Sequence, residues 1–293
     1  MSEQLFSRFE NLITWVSGDQ RAPHKPLLVL LALGEWSRSK KELRFSDVSE
    51  PLTDLLRRFG PARKTQHPEY PFWRLQRDGV WEVYGIYEIA IGADGGATKG
   101  SLLAADAIGR FTPDIQSEFA INTNLIGELA NRLLETHFPA SIHEDILDAI
   151  GLEINDSRPG GGGRDPNFRK RVLTAYQHQC AVCGLQLLLA GSTIALEAAH
   201  IRWHQAHGPA VVQNGLCLCT LHHKLYDLGV FCVERTRLVF VSDEVSGLVG
   251  LTEHLLAFNG KPIRSPIQES HLPATDYLDW HIREVFRGNP RPV

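Results

Sequence analysis

The chain has 293 residues, of which 43% are hydrophobic and 22% charged, and its formal net charge is −4. These values are typical of a folded protein and exclude a disordered or collagen-like chain. At roughly 100–200 residues per domain, the length predicts two domains, each large enough to bury a core. The sequence has no apolar run near the roughly 20 residues of a membrane helix and no signal-peptide pattern at its start, so we expect a cytoplasmic protein without a membrane partner.

The beginning of the chain is predicted to be helical. Apolar residues at helical spacing predict one helix over residues 3–17 and a second, more apolar one over residues 26–36. A third helix is expected to begin near Pro51 with Ser49 as its cap, because proline is tolerated in the first turn of a helix but not deeper.

An aromatic, alternating pattern follows the helices. Residues 72–75 and 81–84 flank the dipeptide Asp78-Gly79, which is a turn signal, and together they predict a β-hairpin. Residues 1–154 are therefore predicted to be a mixed α+β domain.

The clearest boundary in the chain is rich in glycine and proline. Residues 155–166 contain Arg-Pro-Gly-Gly-Gly-Gly-Arg-Asp-Pro, which suits neither a helix nor a strand interior, so we interpret them as an interdomain linker. The second domain then spans residues 167–293.

A strand, strand, loop and helix order is predicted near the start of the second domain. Residues 168–177 are typical of a basic amphipathic helix, and residues 180–200 predict two short strands around a turn at 190–192. A loop over 203–212 then leads to a helix beginning near Thr220. This order is that of a ββα unit.

All five cysteines lie in the second domain: Cys180, Cys183, Cys217, Cys219 and Cys232. Cys180 and Cys183 are separated by two residues, as are Cys219 and His222, and two such pairs predict a structural Zn²⁺ site. The first pair alone is also compatible with a redox function. Cys217 is a possible competing ligand, although it and Cys232 are expected to be core residues.

A second set of polar residues lies between and beside these ligands. The segments Ala199-His200-Ile201, Asn214-Gly215-Leu216 and Cys219-x-x-His222-His223-x-x-x-Asp227 resemble the HNH nuclease motif on its ββα-metal core. The resemblance implies that His200 is the general base acting on a phosphodiester, that Asn214 orients the loop and the His200 ring, and that His223 holds a catalytic divalent ion. Mg²⁺ or Mn²⁺ is expected there.

The sequence departs from that family before the expected base. Many members have a metal ligand at the position of Ala199, and alanine cannot coordinate. His223 and Asp227 are four residues apart, so they share one helix face and could bind the same ion, although Asp227 could equally be a surface or capping carboxylate. Glu197 should share the strand face of Ala199 and could substitute as a ligand.

Two segments of the first domain carry another resemblance. His24-Lys25-Pro26-Leu27-Leu28 and Tyr70-Pro71-Phe72-Trp73-Arg74-Leu75, followed by Asp78-Gly79-Val80-Trp81, are similar to the sulfur-binding domain of type IV restriction endonucleases that recognise phosphorothioate-modified DNA. This resemblance implies a sulfur pocket at Tyr70 and Pro71. It also implies DNA contacts by the residues His24, Lys25, Trp73 and Arg74. From composition alone, a solvated basic face above an aromatic core is about as good an interpretation of this region.

The sequence thus predicts a type IV restriction enzyme that reads phosphorothioate in double-stranded DNA and cuts it with an HNH nuclease. One alternative is an HNH nuclease that reads methylated cytosine. The other is a zinc-stabilised DNA-binding protein without cleavage activity, which Ala199 makes conceivable. Cutting both strands with one HNH site per chain suggests a homodimer.

Overall fold

The computed structural model divides the chain into two compact units, Met1–Pro159 and Gly160–Val293. The residues that it describes are 2–12, 22–61, 63–154 and 166–293. The linker predicted over 155–166 lies outside the described residues apart from Pro166, so it stays a prediction. Among the helices of the described ranges, none combines the length and the apolar character needed to span a membrane.

The first unit contains helices packed around a small sheet. Its helices are α1 (Ser2–Glu10), α2 (His24–Ser37), α3 (Phe45–Phe59), α4 (Glu69–Arg74), α5 (Lys99–Ala104), α6 (Pro113–Ile121), α7 (Asn124–His137) and α8 (His143–Ile150). Its strands are β1 (Leu43–Arg44), β2 (Trp81–Tyr84) and β3 (Ile108–Phe111), which form an antiparallel sheet in the order β1-β3-β2. The predicted α+β character is confirmed.

Helix α2 lies at the centre of this unit. Every residue from Lys25 to Gly34 is buried, and α2 packs against α3, α4, α7 and α8. A helix that is apolar on all sides must be covered on all sides, which explains why the prediction over 26–36 was nearly complete. The helix predicted over 3–17 begins as α1 but ends at Glu10, earlier than predicted, and residues 13–21 lie outside the described part of the chain.

Helix α3 begins earlier than predicted. It starts at Phe45, so Pro51 lies inside the helix, and Ser49 is a buried helical residue that caps nothing. The buried face of α3 already includes Phe45 and Val48, which precede the proline. Pro51 is exposed, so the backbone hydrogen bond that proline cannot donate is lost on the solvated side. Burial of the apolar face outweighs that loss.

The predicted β-hairpin is wrong in its first strand. Residues 72–75 belong to α4 and to the 3-10 turn over Leu75–Asp78, whereas Trp81–Tyr84 is a strand that pairs with β3. Phe72 and Leu75 are three residues apart and both fully buried, which is a helical spacing. The turn signal was correct at Gly79, which adopts a φ of +68°.

The second unit consists of two-stranded sheets with helices against them. Its helices are α9 (Pro166–Ala175), α10 (Thr220–Asp227), α11 (Leu251–His254) and α12 (Thr275–Glu284). Its strands are β4 (Leu187–Leu189), β5 (Ser192–Ile194), β6 (Leu196–His200), β7 (Gly215–Cys219), β8 (Phe231–Val233) and β9 (Val239–Val241), paired as β4-β5, β6-β7 and β8-β9.

The ββα unit is present, but its strands differ from those predicted. The turn at Ala190-Gly191 joins β4 and β5, which form a separate exposed hairpin. The strands that lead into α10 are β6 and β7, and the long loop lies between them rather than after them. Strand β7 is buried along its whole length, so its sequence does not alternate between apolar and polar residues. The alternation that identifies a half-buried strand was therefore missing.

Candidate functional site

Four predicted zinc ligands lie together in the second unit. The ligand atoms of Cys180, Cys183, Cys219 and His222 all lie within 4.8 Å of one another. Cys219 ends β7 and His222 lies in the first turn of α10, while the Cys180–Cys183 turn is attached to β7 by a hydrogen bond from the Ala181 amide to the Cys217 carbonyl, at 2.7 Å. This donor set can bind zinc in tetrahedral geometry.

The ring of His222 is oriented by a residue that the sequence did not reveal. Its Nε2 lies 2.9 Å from the carbonyl oxygen of His254, and since a carbonyl only accepts, Nε2–H is the donor. The other nitrogen, Nδ1, lies 3.1 Å from the Cys219 sulfur and is available for a metal. A carbonyl partner of this kind fixes the tautomer and orientation of a metal-binding histidine.

Cys217 is not part of this cluster. Its backbone carbonyl accepts the bond from Ala181, but its side chain is fully buried in the core, and burial raises the pKa of its thiol to about 12. Burial likewise raises the pKa of Cys232 to about 12. In contrast, hydrogen bonds from Cys183 and Cys219 lower the pKa of Cys180, as expected for a thiolate ligand. The expectation that Cys217 and Cys232 are core residues agrees with this placement.

His200 ends strand β6 beside helix α9. Its ring stacks on Phe168 of α9, with centroids 4.1 Å apart and planes inclined by 26°. Opposite His200 in the register is Gly215, where a Cβ would lie 2.5 Å from the Val172 side chain of α9. The absence of a side chain at Gly215 lets α9 approach the two strands closely.

Asn214 fastens the loop that follows His200. Its side-chain oxygen accepts the Arg202 amide at 2.8 Å, and its nitrogen donates to the carbonyls of Arg202 and Pro209 at 3.0 and 2.9 Å. The Asn214 carbonyl accepts the Ile201 amide at 3.0 Å, and the residue is fully buried. Asn214 therefore ties both ends of the loop to the end of β6, next to His200.

The ring of His223 lies between two carboxylates. Glu197 of β6 contacts Nδ1, whereas Asp227 of the same helix lies 3.1 Å from Nε2. The two carboxylates therefore lie at opposite ring nitrogens rather than on one side of the ring. The Asp227 side chain is 2% exposed and that of Glu197 is 41% exposed, so Nδ1 faces the more exposed of the two carboxylates.

These carboxylates set the protonation of His223. Burial would lower the pKa of His223, but the charges and hydrogen bonds of Asp227 and Glu197 raise it to about 9, well above its usual value of about 6.5. Without a metal, the ring is therefore a cation at neutral pH and both of its nitrogens carry protons.

This protonation predicts a pH dependence for metal binding. If His223 binds a divalent ion, that ion must displace a proton from the ring, so Mn²⁺ affinity should fall by about tenfold for each pH unit below about 9. Titration with Mn²⁺, monitored by electron paramagnetic resonance between about pH 6.5 and 9, measures the slope. Glu197→Gln should weaken Mn²⁺ binding and move the onset of this fall to lower pH, because loss of that carboxylate lowers the pKa of His223. A Mn²⁺ affinity independent of pH would contradict a role for His223 as ligand.

In the first unit, predicted DNA-contacting residues form a stacked surface on α4. Tyr70 is 46% exposed, its ring stacks on His67 with centroids 4.7 Å apart, and the Arg74 guanidinium lies 4.9 Å from the ring centre. Trp73 donates from Nε1 to the carbonyl of Gly95 at 2.9 Å. Pro71 is buried in the same helix.

This surface borders a pocket of about 200 Å³ that the sequence did not predict. Tyr70, Trp73 and Arg74 line one side. The other lining residues are His67, Glu69, Gly92, Asp94, Gly96, Ala97 and Thr98. The sequence signal for the second wall was the glycine-rich run Gly92–Gly96, which forms a tight turn between the bridged residues Ile91 and Ala97. Pro71 is not among the lining residues.

Lys25 has a different environment from the surface position that phosphate contact requires. Its ammonium lies 2.5 Å from the Asp78 carboxylate, and the two side chains are only 11% and 2% exposed. His24 is half-buried at the first position of α2. The turn residue Asp78 thus pairs with the start of the central helix, which explains how two separate sequence motifs meet.

The ion pair predicts a large stability effect. Lys25→Met removes the cation that faces the buried Asp78 carboxylate, which should lower the free energy of unfolding by about 3–5 kcal/mol. The control is Lys40→Met, since Lys40 pairs with Glu35 but is 65% exposed; its cost should be at most about 1 kcal/mol. Urea unfolding of both variants tests this. Equal free energies of unfolding would show that the buried pair stabilises the protein no more than the exposed pair does.

Both the motif and the geometry define a nuclease of the ββα-metal class in the second unit. The HNH endonuclease family model matches residues 180–234, and the chain carries an HNH endonuclease domain there. The ScoMcrA-like DNA sulfur-binding domain model matches residues 2–155, which is more than half of the chain. The protein therefore belongs to the ScoMcrA-like family with a DNA sulfur-binding domain.

Solved structures similar to this chain include two sulfur-binding domains complexed with phosphorothioated DNA. That of ScoMcrA is 23% identical over 50% of this chain and 94% of its own, with a TM-score of 0.44. That of SprMcrA is 22% identical over 52% and 94%, with a TM-score of 0.44. The type IV phosphorothioation-dependent restriction endonuclease ScoMcrA is 23% identical over 53% of this chain and 35% of its own, with a TM-score of 0.43. No curated protein matches the chain.

Proposed function

We propose that this protein is a modification-dependent DNA endonuclease. Residues 1–154 recognise phosphorothioate in double-stranded DNA, and residues 167–293 hydrolyse phosphodiester bonds. The proposal rests on one observation: the chain matches both a sulfur-binding domain and an HNH endonuclease domain. The HNH residues His200, Asn214 and His223 also lie together on one ββα unit. Such a chain is a type IV restriction enzyme.

His200 is the general base in this mechanism. Its imidazole lies at the end of β6, where the stack on Phe168 and the loop fastened by Asn214 limit its rotation. A neutral imidazole accepts a proton from water near neutral pH, so the water oxygen bonds to phosphorus as it loses that proton, and the P–O bond to the leaving oxygen breaks. Asn214 acts through the backbone and is a positioning residue.

His223 and Glu197 hold the catalytic divalent ion. Nδ1 of His223 and the Glu197 carboxylate face each other on the more exposed side, and an imidazole with a hard oxygen ligand suits Mg²⁺ or Mn²⁺. When bound, the ion offsets negative charge on the phosphate and on the leaving oxygen. Glu197 thereby substitutes for the ligand that Ala199 cannot supply.

Asp227 has another role from the one that its spacing suggested. It is buried and accepts from Nε2–H of His223, on the side of the ring away from Glu197. A carboxylate in that position orients a histidine ligand and makes its other nitrogen a better donor. The spacing of four residues correctly indicated that Asp227 contacts His223. We assign Asp227 the role of orienting the His223 ring, rather than that of a metal ligand.

The Cys180, Cys183, Cys219 and His222 cluster holds a structural Zn²⁺. Four protein ligands leave no open position for substrate, which distinguishes this site from the one at His223. The cluster joins the Cys180–Cys183 turn to the start of α10, so it fixes the helix that carries His223.

Tyr70 and its neighbours read the modification. Sulfur in place of a phosphate oxygen is larger, more polarisable and more weakly hydrated, so it loses less solvation against aromatic and proline carbon than oxygen does. The exposed Tyr70 ring supplies such a surface, and Arg74 beside it offers a cation to the phosphate. Trp73 borders the same pocket, and Pro71 lies beneath in α4.

A pair of tyrosine variants tests this recognition. Tyr70→Ala should weaken binding to a phosphorothioate duplex by up to about tenfold, because a contact between sulfur and an aromatic ring is worth roughly 0.3–1.5 kcal/mol. Tyr87→Ala is the matched control, since Tyr87 is 68% exposed and does not line the pocket. Fluorescence anisotropy with modified and plain duplexes measures both. Equal losses in the two variants, or equal wild-type affinity for both duplexes, would refute the assignment.

Cleavage of three plasmids decides the function as a whole. Wild-type protein with Mg²⁺ or Mn²⁺ should cut phosphorothioate DNA and leave unmodified DNA intact. Cutting of cytosine-methylated DNA instead would favour the methylcytosine reader, and binding without cutting under every divalent ion would favour a non-cleaving DNA-binding protein. Sedimentation with and without DNA tests the homodimer that double-strand cleavage suggests. The cytoplasmic location stays a prediction.

A further inference from the structure

The segment after the matched HNH domain packs onto the nuclease elements. The HNH match ends at residue 234, whereas α12 lies at residues 275–284 and packs against β8. Its buried residues are Leu278, Trp280, His281 and Glu284. A polar residue buried so completely needs polar partners, and those of His281 identify what this segment does.

His281 contacts Tyr226 in the last turn of α10, the helix that carries His223 and Asp227. Its Nε2 lies 3.0 Å from the backbone carbonyl of Tyr226, and its ring lies flat on the Tyr226 ring, with centroids 3.6 Å apart and planes inclined by 4°. Both residues are fully buried. Tyr226 directly precedes Asp227, the residue that orients His223.

The Tyr226 carbonyl belongs to the last turn of α10, where helix carbonyls have no partner within the helix. It accepts the Gly229 amide at 2.9 Å and Nε2–H of His281, so both lone pairs are used. His281 therefore fixes the last turn of α10 directly through its backbone.

A second contact brings the same two segments together just after the helix. Gly229 adopts a φ of +74°, and a Cβ there would lie 2.0 Å from the Val285 carbonyl, which follows α12. The Arg287 amide donates to the Gly229 carbonyl at 3.0 Å. The segment that follows α10 and the segment that follows α12 are thus in close backbone contact next to the His281 hydrogen bond.

We propose that His281 is a positioning residue for the catalytic metal site: by holding the Tyr226 carbonyl it fixes the last turn of α10, and with it the Asp227 carboxylate against His223. The inference rests on the proposed function of His223 and Asp227. It gives the C-terminal segment, which the family match does not include, a part in the reaction.

The test measures Mn²⁺ binding directly in the full-length protein. His281→Phe keeps a flat ring on Tyr226 but removes the donor, and it should weaken Mn²⁺ binding by about tenfold, within the range of outer-shell metal partners. His281→Gln retains an N–H donor and should recover most of that loss. Zinc content and affinity for a phosphorothioate duplex should stay at the wild-type level in both.

Leu278→Ala is the matched control on the same helix. Leu278 is equally buried, but it belongs to the apolar core, so its loss lowers stability without removing a bond to Tyr226. If Leu278→Ala weakens Mn²⁺ binding as much as His281→Phe does, or if His281→Phe binds Mn²⁺ like the wild type, the proposal is overturned. His223→Ala tests the proposed metal site separately from the role of His281. If His223→Ala binds Mn²⁺ as tightly as the wild type does, the proposed metal site itself is wrong.

Amide exchange in the wild-type protein gives a second readout if His281→Phe does not fold. The amides of Val285 and Phe286 both donate to the His281 carbonyl, at 2.8 and 3.0 Å. Because coupling between two sites is reciprocal, Mg²⁺ should slow hydrogen exchange at these amides by about threefold or more. The Leu255 amide, bonded to Leu251 at the end of α11, should not change. Exchange at Val285 and Phe286 that is unaffected by Mg²⁺ overturns the proposal.

Discussion

His200→Ala is expected to slow cleavage of phosphorothioate DNA by about 10²–10⁴-fold, the usual contribution of a general base. His200 belongs neither to the zinc-binding set nor to the residues predicted to contact DNA, so zinc content and DNA affinity should remain those of the wild type. Single-turnover cleavage with saturating Mg²⁺ measures the chemical step without interference from product release.

His204 provides the control for this variant. It is exposed and its ring centroid lies 6.2 Å from that of His200, so it shares the local environment without ending β6. His204→Ala should cut within about threefold of the wild type, as expected for a surface substitution. If His204→Ala cleaves as slowly as His200→Ala, the loss cannot be assigned to His200 specifically. If His200→Ala cleaves at the wild-type rate, His200 is not the general base.

Removal of zinc should unfold the nuclease domain and leave the sulfur-binding domain folded. Zinc binding to a site of this kind contributes about 10–16 kcal/mol in isolated peptides, which is comparable to the whole stability of a typical domain. Cys180→Ala, or chelation at high temperature, should therefore abolish cleavage and the cooperative unfolding of residues 167–293. Binding to a phosphorothioate duplex should persist, because the residues predicted to contact DNA lie in the other unit.

Cys217→Ala controls for the loss of a buried thiol. Cys217 is two residues from Cys219 and fully buried, yet its sulfur is outside the cluster. This variant should retain one zinc per chain and full cleavage. Zinc loss in Cys217→Ala, or stable folding of Cys180→Ala without metal, would show that the ligand set is different from Cys180, Cys183, Cys219 and His222.

Local patterns were sufficient where the residues that act together are close in sequence. The pairs Cys180/Cys183 and Cys219/His222 have the two-residue gap that their geometry requires, and that spacing identified the cluster before any fold was known. Helix α2 was predicted well because a helix that is apolar on all sides must be buried on all sides.

Local patterns failed where distant residues decide the outcome. The segment around Phe72 reads as a strand because it is aromatic, but the core position of Phe72 and Leu75 favours a helix. Pro51 reads as a helix start, but burial of Phe45 and Val48 extends the helix before it. In both cases tertiary burial outweighs intrinsic preference, which contributes less per residue.

The sequence by itself determined the two domains, the HNH family, the metal-binding residue types and the sulfur-binding resemblance, because each depends on residue identities at short, fixed spacings. The tertiary structure alone decided which nitrogen of His223 faces Glu197 and which faces Asp227, that Lys25 is buried against Asp78, and that His254 and His281 support the metal-binding helix. Apart from His223 and Asp227, which are four residues apart on one helix, these contacts join residues 26 to 55 positions apart in the chain. Spacing carries no information about the distant pairs, since only the packing of the core brings such residues together.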